Sequence, residues 1–269
     1  MKGAMLIEKY NNYFPGNVSF DWFMSREGIV FREMDGRKTL QFNEKDRSYF
    51  IKIHKGIGWK EIFKNLGQLK WPVLGAKNEF LAINKLTRLG LDTMSLVAYG
   101  QRGWNPATKK SFVVTEDLVN TVSLEDYCAC WPKSPPVFVE KQILINKVAR
   151  MTETMHTNGI NHRDLYICHF LLKKNNEISA TSRLFLIDLH RVQIRLKVPE
   201  RWEIKDLSAL YFSAMHIGLT KRDYLRFIKQ YRGDSIRNVF KRERDFWVRV
   251  EEKAHILNER NRKNKKIPT

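Results

Sequence analysis

No run of about 18 apolar residues occurs in this 269-residue chain, which excludes a helical membrane span. The N-terminus, MKGAMLIEKYNNYF, lacks the apolar stretch of a signal peptide, so a cytoplasmic protein is expected. Cysteine is scarce. Cys128, Cys130 and Cys168 are too few and too close for a disulfide framework. The lone Cys-x-Cys pair has no second pair to complete a metal site, so packed or surface thiols are the simpler reading. Repeats and low-complexity linkers are absent. Acidic residues are in short supply: 48 Lys and Arg face 29 Asp and Glu, a formal net charge of +19. Such a chain is drawn to polyanions, whether an anionic membrane face, a phosphorylated glycolipid or an acidic protein. No helix-turn-helix signal, zinc pattern or aromatic RNA-binding motif points to nucleic acid.

What is present is enough apolar residue, 43% with 12% aromatic, to bury a core. The first part of the chain alternates. GIVFRE (28–33), KTLQF (38–42) and SYFIKI (48–53) read as strands between turn-rich segments. AKNEFLAINKLTRLG (76–90) reads as a helix with Phe80, Ile83, Leu86 and Leu89 on one side and Gly90 as its stop. TMSLVAYGQ and SFVVTEDL read as two more strands. From about residue 119 the texture turns helical, with helices expected at 137–159, 205–218 and 236–260 and a buried strand at 182–189. The expected division is a β-rich nucleotide-binding lobe over 1–118, with a basic amphipathic insert at about 56–74, and a helical catalytic lobe over 119–269. The second lobe ends in a basic helix and tail. A cleft between two such lobes is where a nucleotide would sit.

Phosphoryl transfer needs a cation on the donor phosphates, oxygen ligands for Mg²⁺ and a carboxylate to orient the acceptor hydroxyl. Asp164, in the loop of NHRDLYICHFLL after His162 and Arg163, is the candidate base. Asp188, closing the apolar strand LFLID, is the candidate metal ligand; a salt bridge to Arg191 or Arg163 is the alternative. Lys52 lies inside the apolar strand YFIKIH, facing either a buried anion or solvent. Glu79 on the next helix is placed to hold it. Main-chain groups of Glu116 and Leu118 could meet an adenine edge. His169 stands where a second metal ligand would be expected, but imidazole is a poor ligand for Mg²⁺, so a phosphate or acceptor contact or a packed core histidine is open. Asp206 begins the helix over 205–218, either as its cap or as a pin for the catalytic-loop backbone.

The order Lys, Glu, strand-ending connector, His-Arg-Asp and strand-ending Asp matches the protein-kinase signature set. Over most of its length the chain resembles the lipopolysaccharide core heptose(I) kinases of the protein-kinase-like superfamily. The stretches that carry this are YFIKIHKGIGWKEIFKNL, PVLGAKNEF, FVVTEDL, SLEDY, NHRDLYICHFLL, IDLHR and KDLSALYFSA. The resemblance implies an α+β, protein-kinase-like bilobal fold and phosphorylation of an inner-core heptose by ATP and Mg²⁺ at the cytoplasmic face of the inner membrane. It implies Asp164 as base, Asp188 as Mg²⁺ ligand and Lys52 with Glu79 as the phosphate-positioning pair. The chain departs from ordinary protein kinases in several places. The first two strands are joined by EMDGRKT, with one glycine instead of a Gly-rich loop, which leaves Arg37 and Lys38 as candidates to cover the phosphates. His169 replaces the usual Asn, and IDL replaces Asp-Phe-Gly. No long activation segment follows Asp188, so a sugar acceptor suits the chain better than a peptide.

GWKEIFKNLGQLKW (58–71) places Trp59, Ile62, Phe63, Leu66 and Leu69 on one helical stripe, with Lys60, Lys64 and Lys70 off it. The stripe either packs on the first lobe, the reading preferred here, or lies on an anionic membrane surface. An acidic partner such as an acyl carrier protein is a further option consistent with the charge. Two other functions use the same residues or none of them: a kinase-like enzyme for another sugar, a small alcohol or tyrosine, and an inactive basic binding module.

Overall fold

The computed structural model describes residues 14, 18–34, 36–67, 75–174 and 177–265. It divides into two compact units. The first comprises residues 1–88, 93–119 and 188–191, and the second residues 89–92, 120–187 and 192–269. The α+β class agrees with the sequence reading.

In the first unit a short helix, α1 (Phe20–Met24), precedes three strands: β1 (Ile29–Met34), β2 (Arg37–Glu44) and β3 (Arg47–His54). Helices α2 (Gly58–Gly67) and α3 (Lys77–Arg88) follow, then β4 (Leu96–Arg102) and β5 (Lys110–Glu116). The five strands form one antiparallel sheet in the order β1-β2-β3-β5-β4. Strand alternation gives it two different faces. Leu40, Phe42, Tyr49, Ile51, Phe112 and Val114 point to one side and pack on Phe14, Phe20 and Phe23. Lys52, Val113 and Tyr99 are cross-strand partners on the other. There Phe80 of α3 stacks on Tyr99, with centroids 4.4 Å apart. The buried face of α3 is Glu79, Ala82, Ile83 and Leu86, so the apolar stripe runs as expected but includes a carboxylate.

Backbone fixes the sheet's turn end. The Lys55 N–H donates to the Gly36 carbonyl at 2.7 Å, and the Gly58 N–H to Ala107 at 3.0 Å. A Cβ on Gly36, at φ +73°, would stand 2.2 Å from the Gly56 carbonyl oxygen, so only glycine fits this turn. In α2, Ile62 is buried, but Trp59 and Phe63 are 51% and 63% exposed and stack on each other at 5.8 Å. The expected packing of the whole stripe is therefore corrected for these two rings. Leu69 and Lys70 lie outside the described residues.

The second unit opens with β6 (Thr121–Ser123), α4 (Leu124–Tyr127) and the long α5 (Phe138–Thr157). Short strands β7 (Ile160–Asn161), β8 (Phe170–Lys173), β9 (Leu184–Leu186) and β10 (Gln193–Ile194) carry the loops. Three helices complete it: α6 (Glu200–Ala214), α7 (Lys221–Arg232) and α8 (Ile236–Lys265). Strands pair as β6-β8-β9 and as β7-β10. Ala149, Ile204, Leu207, Tyr231, Val239, Phe246, Trp247 and Val250 form its core. Helix α6 starts five residues earlier than the sequence suggests, at Glu200 after Pro199. Asp206 is thus interior to the helix, which corrects its reading as an N-terminal cap. Helix α8 departs from helical geometry at Glu243 (φ −131°, ψ 25°), where Arg232 holds the Glu243 carboxylate at 2.7 Å.

Cys128 is buried, Cys130 is exposed and no cysteine is in a disulfide. Burial pushes the Cys128 thiol up to about 12, with lesser contributions from Cys130 and Glu140, which makes it inert. No helix is long and apolar enough to cross a membrane among the described residues.

Candidate active site

The first unit assembles charges around Lys52. Its Nζ donates to Glu79 Oε1 at 2.7 Å and stands 3.9 Å from Asp188 Oδ1. The Glu79 side chain is 2% exposed, against 25% for Lys52 and 31% for Asp188, so the pair is rooted inside and opens toward Asp188. Burial works against the ammonium charge, but Glu79 and then Asp188 outweigh it and hold Lys52 above the usual lysine range. Asp188 is a non-glycine residue with φ +61°, and its carboxylate accepts from His190 Nδ1 at 2.6 Å. The other Glu79 oxygen, Oε2, is buried without a hydrogen-bond partner among the described residues.

Alternation along β3 puts His54 on the same face as Lys52, and the register sets Arg37 directly across from His54. Burial first, then Arg37, Lys52, His190 and Lys109, drive the His54 imidazole down to about 3. His54 is therefore neutral at physiological pH, chiefly because it is buried and secondarily because cations surround it. Sequence reasoning missed both His54 and His190; the period-two spacing from Lys52 was the available signal for the first. The same register corrects one expectation. Lys38 pairs with Ile53 and falls on the opposite sheet face, so Arg37 and Lys38 do not act together and only Arg37 belongs with Lys52.

This donor set fits a metal-nucleotide. No group of three or more His, Cys, Asp and Glu side chains gathers as a metal site among the described residues. Mg²⁺ is usually held by one or two carboxylates plus substrate phosphates, and Asp188 is the more open carboxylate beside the Lys52 ammonium. At the end of β5, the Glu116 N–H is donated to the Ser95 carbonyl at 2.9 Å, which leaves its carbonyl as the group to offer a ligand. Asp117 is fixed beside it by Gln41 at 2.7 Å and Ser48 at 2.9 Å, and Leu118 follows.

The second unit builds the Asp164 loop from backbone contacts. Arg163 adopts φ +74°, costly for a residue with a Cβ. Asp206, fully buried, holds it there: its two oxygens accept the His162 N–H at 2.6 Å and the Arg163 N–H at 2.7 Å. His156 lies behind, with Nε2 3.4 Å from Asp206 and Nδ1 2.7 Å from the Tyr231 hydroxyl. His162 Nε2–H donates to the Ile187 carbonyl at 3.0 Å, which ties the loop to the chain just before Asp188. His169 Nδ1–H donates to the Asp164 carbonyl at 2.8 Å, and its ring stacks near that of His162. This nitrogen is spent on the loop, so His169 is placed as a strut of Asp164 and not through Nδ1 as a metal ligand. The Asp164 side chain is half-buried.

A family model described as "Lipopolysaccharide kinase (Kdo/WaaP) family" matches residues 21–231. The lipopolysaccharide core heptose(I) kinase WaaP of Escherichia coli is 47% identical over 260 residues, 95% of this chain and 97% of the relative. WaaP of Pseudomonas aeruginosa is also 47% identical over 260 residues, covering 96% of this chain and 97% of its own. A solved structure, "WaaP in complex with acyl carrier protein", has a TM-score of 0.81 and 42% identity, covering 94% of this chain and 99% of that one. The match extends across both units and across Lys52, Glu79, Asp164 and Asp188, and the chain belongs to the lipopolysaccharide kinase (Kdo/WaaP) family.

Proposed function

We propose that this kinase transfers the γ-phosphoryl group of ATP to a heptose hydroxyl in the inner core of lipopolysaccharide. The observation that carries the reading is the Lys52 constellation: an ammonium shared between buried Glu79 and more open Asp188. Such a site is suited to a polyphosphate. Lys52, with Arg37 and Lys109 nearby, binds and orients the phosphates. Asp188 would hold Mg²⁺, which supplies neutralisation of charge on the transferring group when bound. Asp164 accepts the proton of the heptose hydroxyl as its oxygen bonds to the γ-phosphorus and the bond to the ADP oxygen breaks. Phe50, two residues before Lys52 on the same face, meets Phe31 edge-on at 5.0 Å and offers an aromatic surface for the base. The Glu116 carbonyl and the Leu118 main chain complete the adenine contact. Asp206, His162, Arg163 and His169 position the loop without entering the chemistry.

The net charge suits a peripheral protein on an anionic membrane face, and exposed Trp59 and Phe63 on lysine-bearing α2 give it an amphipathic contact. An acidic protein partner fits the same charge, and the related WaaP complex makes an acyl carrier protein the one to try.

The test is transfer of labelled phosphate from ATP to an unphosphorylated, heptose-containing lipopolysaccharide core, with Asp164→Ala alongside. Transfer by the wild type alone is expected. No transfer with ATP still bound would shift the reading to another sugar, an alcohol or tyrosine. Loss of ATP binding altogether would leave a basic binding module.

A further inference from the structure

We infer that the turn end of the first unit's sheet is a lipid-binding face, on which Trp104, Trp59 and Phe63 enter the headgroup region of an anionic bilayer. The inference rests on the membrane part of the reading above and deepens it. Trp104 sits between β4 and β5 and is 92% exposed. It and Trp59 are the only exposed tryptophans among the described residues, whereas Trp131 and Trp247 are buried. Apolar side chains exposed singly are ordinary, but large rings gathered at one end of a sheet call for a partner. Met34, which closes β1 at the same end, is exposed as well.

Ordered backbone presents these rings. Asn105 folds the turn between β4 and β5: its side-chain oxygen accepts the Ala107 N–H at 2.9 Å, and its main-chain carbonyl accepts the Lys109 N–H at 2.8 Å. The Ala107 carbonyl accepts the Gly58 N–H at the start of α2, and the Gly36 carbonyl of the β1–β2 turn accepts the Lys55 N–H. A Cβ on Gly56 would lie 2.5 Å from the Ala107 carbonyl oxygen, so these turns are in direct contact. In α2, Ile62 faces inward while Trp59 and Phe63 stack on each other outside. The α2 rings and the hairpin ring thus stand on one connected block of backbone.

Shape and charge favour lipid as the partner. A ring as exposed as Trp104 projects from the surface and lines no groove. Protein interfaces bury their aromatic anchors in matching pockets, whereas a bilayer requires none. Tryptophan is favoured at the boundary of headgroups and acyl chains, where its ring meets an apolar phase and its N–H meets water. The same segments expose Lys55, Lys60 and Lys110, and lysines close to anionic lipid each strengthen binding. The net charge of +19 extends the attraction. Position completes the argument. Arg37 begins β2 at this end, opposite His54. The face that meets lipid is therefore also the end of the sheet at which Arg37 meets the ATP phosphates. An acceptor held in the same bilayer is brought to the phosphate end of the site.

The test uses the full chain and vesicles of phosphatidylglycerol mixed with phosphatidylcholine, with phosphatidylcholine alone as the neutral control. Sedimentation should show binding to the anionic vesicles that weakens as salt is raised. Trp104→Ala should lower the partition coefficient about tenfold and Lys60→Gln about fivefold. Both side chains are exposed, so neither substitution should move Tm. Brominated acyl chains should quench the wild-type fluorescence, and Trp59→Phe combined with Trp104→Phe should remove most of that quenching while the protein still binds. Binding unchanged by Trp104→Ala, or quenching that survives loss of both tryptophans, would overturn the lipid face. Absence of binding to either vesicle would overturn it too and turn these rings over to a protein partner. On water-soluble, deacylated core Trp104→Ala should keep kcat within about twofold, whereas on core glycolipid embedded in vesicles kcat/KM should fall about tenfold. An equal loss on both acceptors, or none on either, would overturn delivery of the acceptor by this face. If no core is phosphorylated while the vesicle results hold, the kinase reading fails and the lipid face stands.

Discussion

The two sets of functional residues are held by opposite means. Around Lys52, opposite charges hold one another: Glu79 supports the ammonium, and Asp188 shares it. Around Asp164, a strained backbone is held by one buried carboxylate, Asp206, through two amide hydrogens. The contrast between Asp188 and Asp206 follows from this. One is 31% exposed and able to meet a ligand; the other is fully buried and saturated by its own chain. Charge pairs can be exchanged for apolar pairs of similar volume, whereas a backbone amide cannot be redesigned away.

The largest expected effect lies in the second set. Asp164→Asn should lower kcat roughly a thousandfold with nucleotide binding intact, as loss of a general base does, and a coupled assay with equilibrium dialysis checks both. Asp206→Ala should cost roughly 3 kcal/mol, because two buried amides lose their acceptor while Arg163 remains strained; denaturant unfolding measures it. In the first set, Lys52→Met should lower kcat about a hundredfold and, by stranding Glu79, also destabilise the fold. Adding Glu79→Leu should recover stability without recovering activity. Recovery of Asp206→Ala by a second apolar substitution would break the contrast.

Smaller effects sharpen it. The His54 imidazole is depressed to about 3 in the fold from an ordinary value near 6.5, so its contribution is complete above pH 6.5 and is lost progressively as pH falls toward 3. His54→Gln should flatten stability over that range in urea melts at stepped pH. At the other end of the second unit, Thr220 and Asp223 form a capping box at the start of α7. Thr220→Ala should cost about 1 kcal/mol and leave kcat unchanged.

How much of this was legible depends on how local the cause is. The strands and α3 were readable because alternation and helical spacing reflect burial directly. Asp164, Asp188, Lys52 and Glu79 were readable as an ordered pattern, but their partners were not. His54 and Arg37 come together only through strand register, and Lys38 was misplaced because one residue of alternation sends it to the other face. Asp206 was assigned to a helix start because KDLSALYF looks like one, whereas Pro199 sets the true start. Helix α7 was absent from the reading although Thr220, Asp223 and Gly233 mark both its ends, since its exposed, charged surface hides the apolar stripe.

Gly159 bears on how loss-of-function variants should be interpreted. A Cβ there would fall 1.9 Å from the Arg195 carbonyl oxygen, at a residue with φ +75°. No side chain can be accommodated without parting the ribbon that leads into the Asp164 loop. Random mutagenesis screened for dead enzyme should therefore return Gly159 beside Asp164 and Lys52. Its presence among such hits would mark a collision between two main chains.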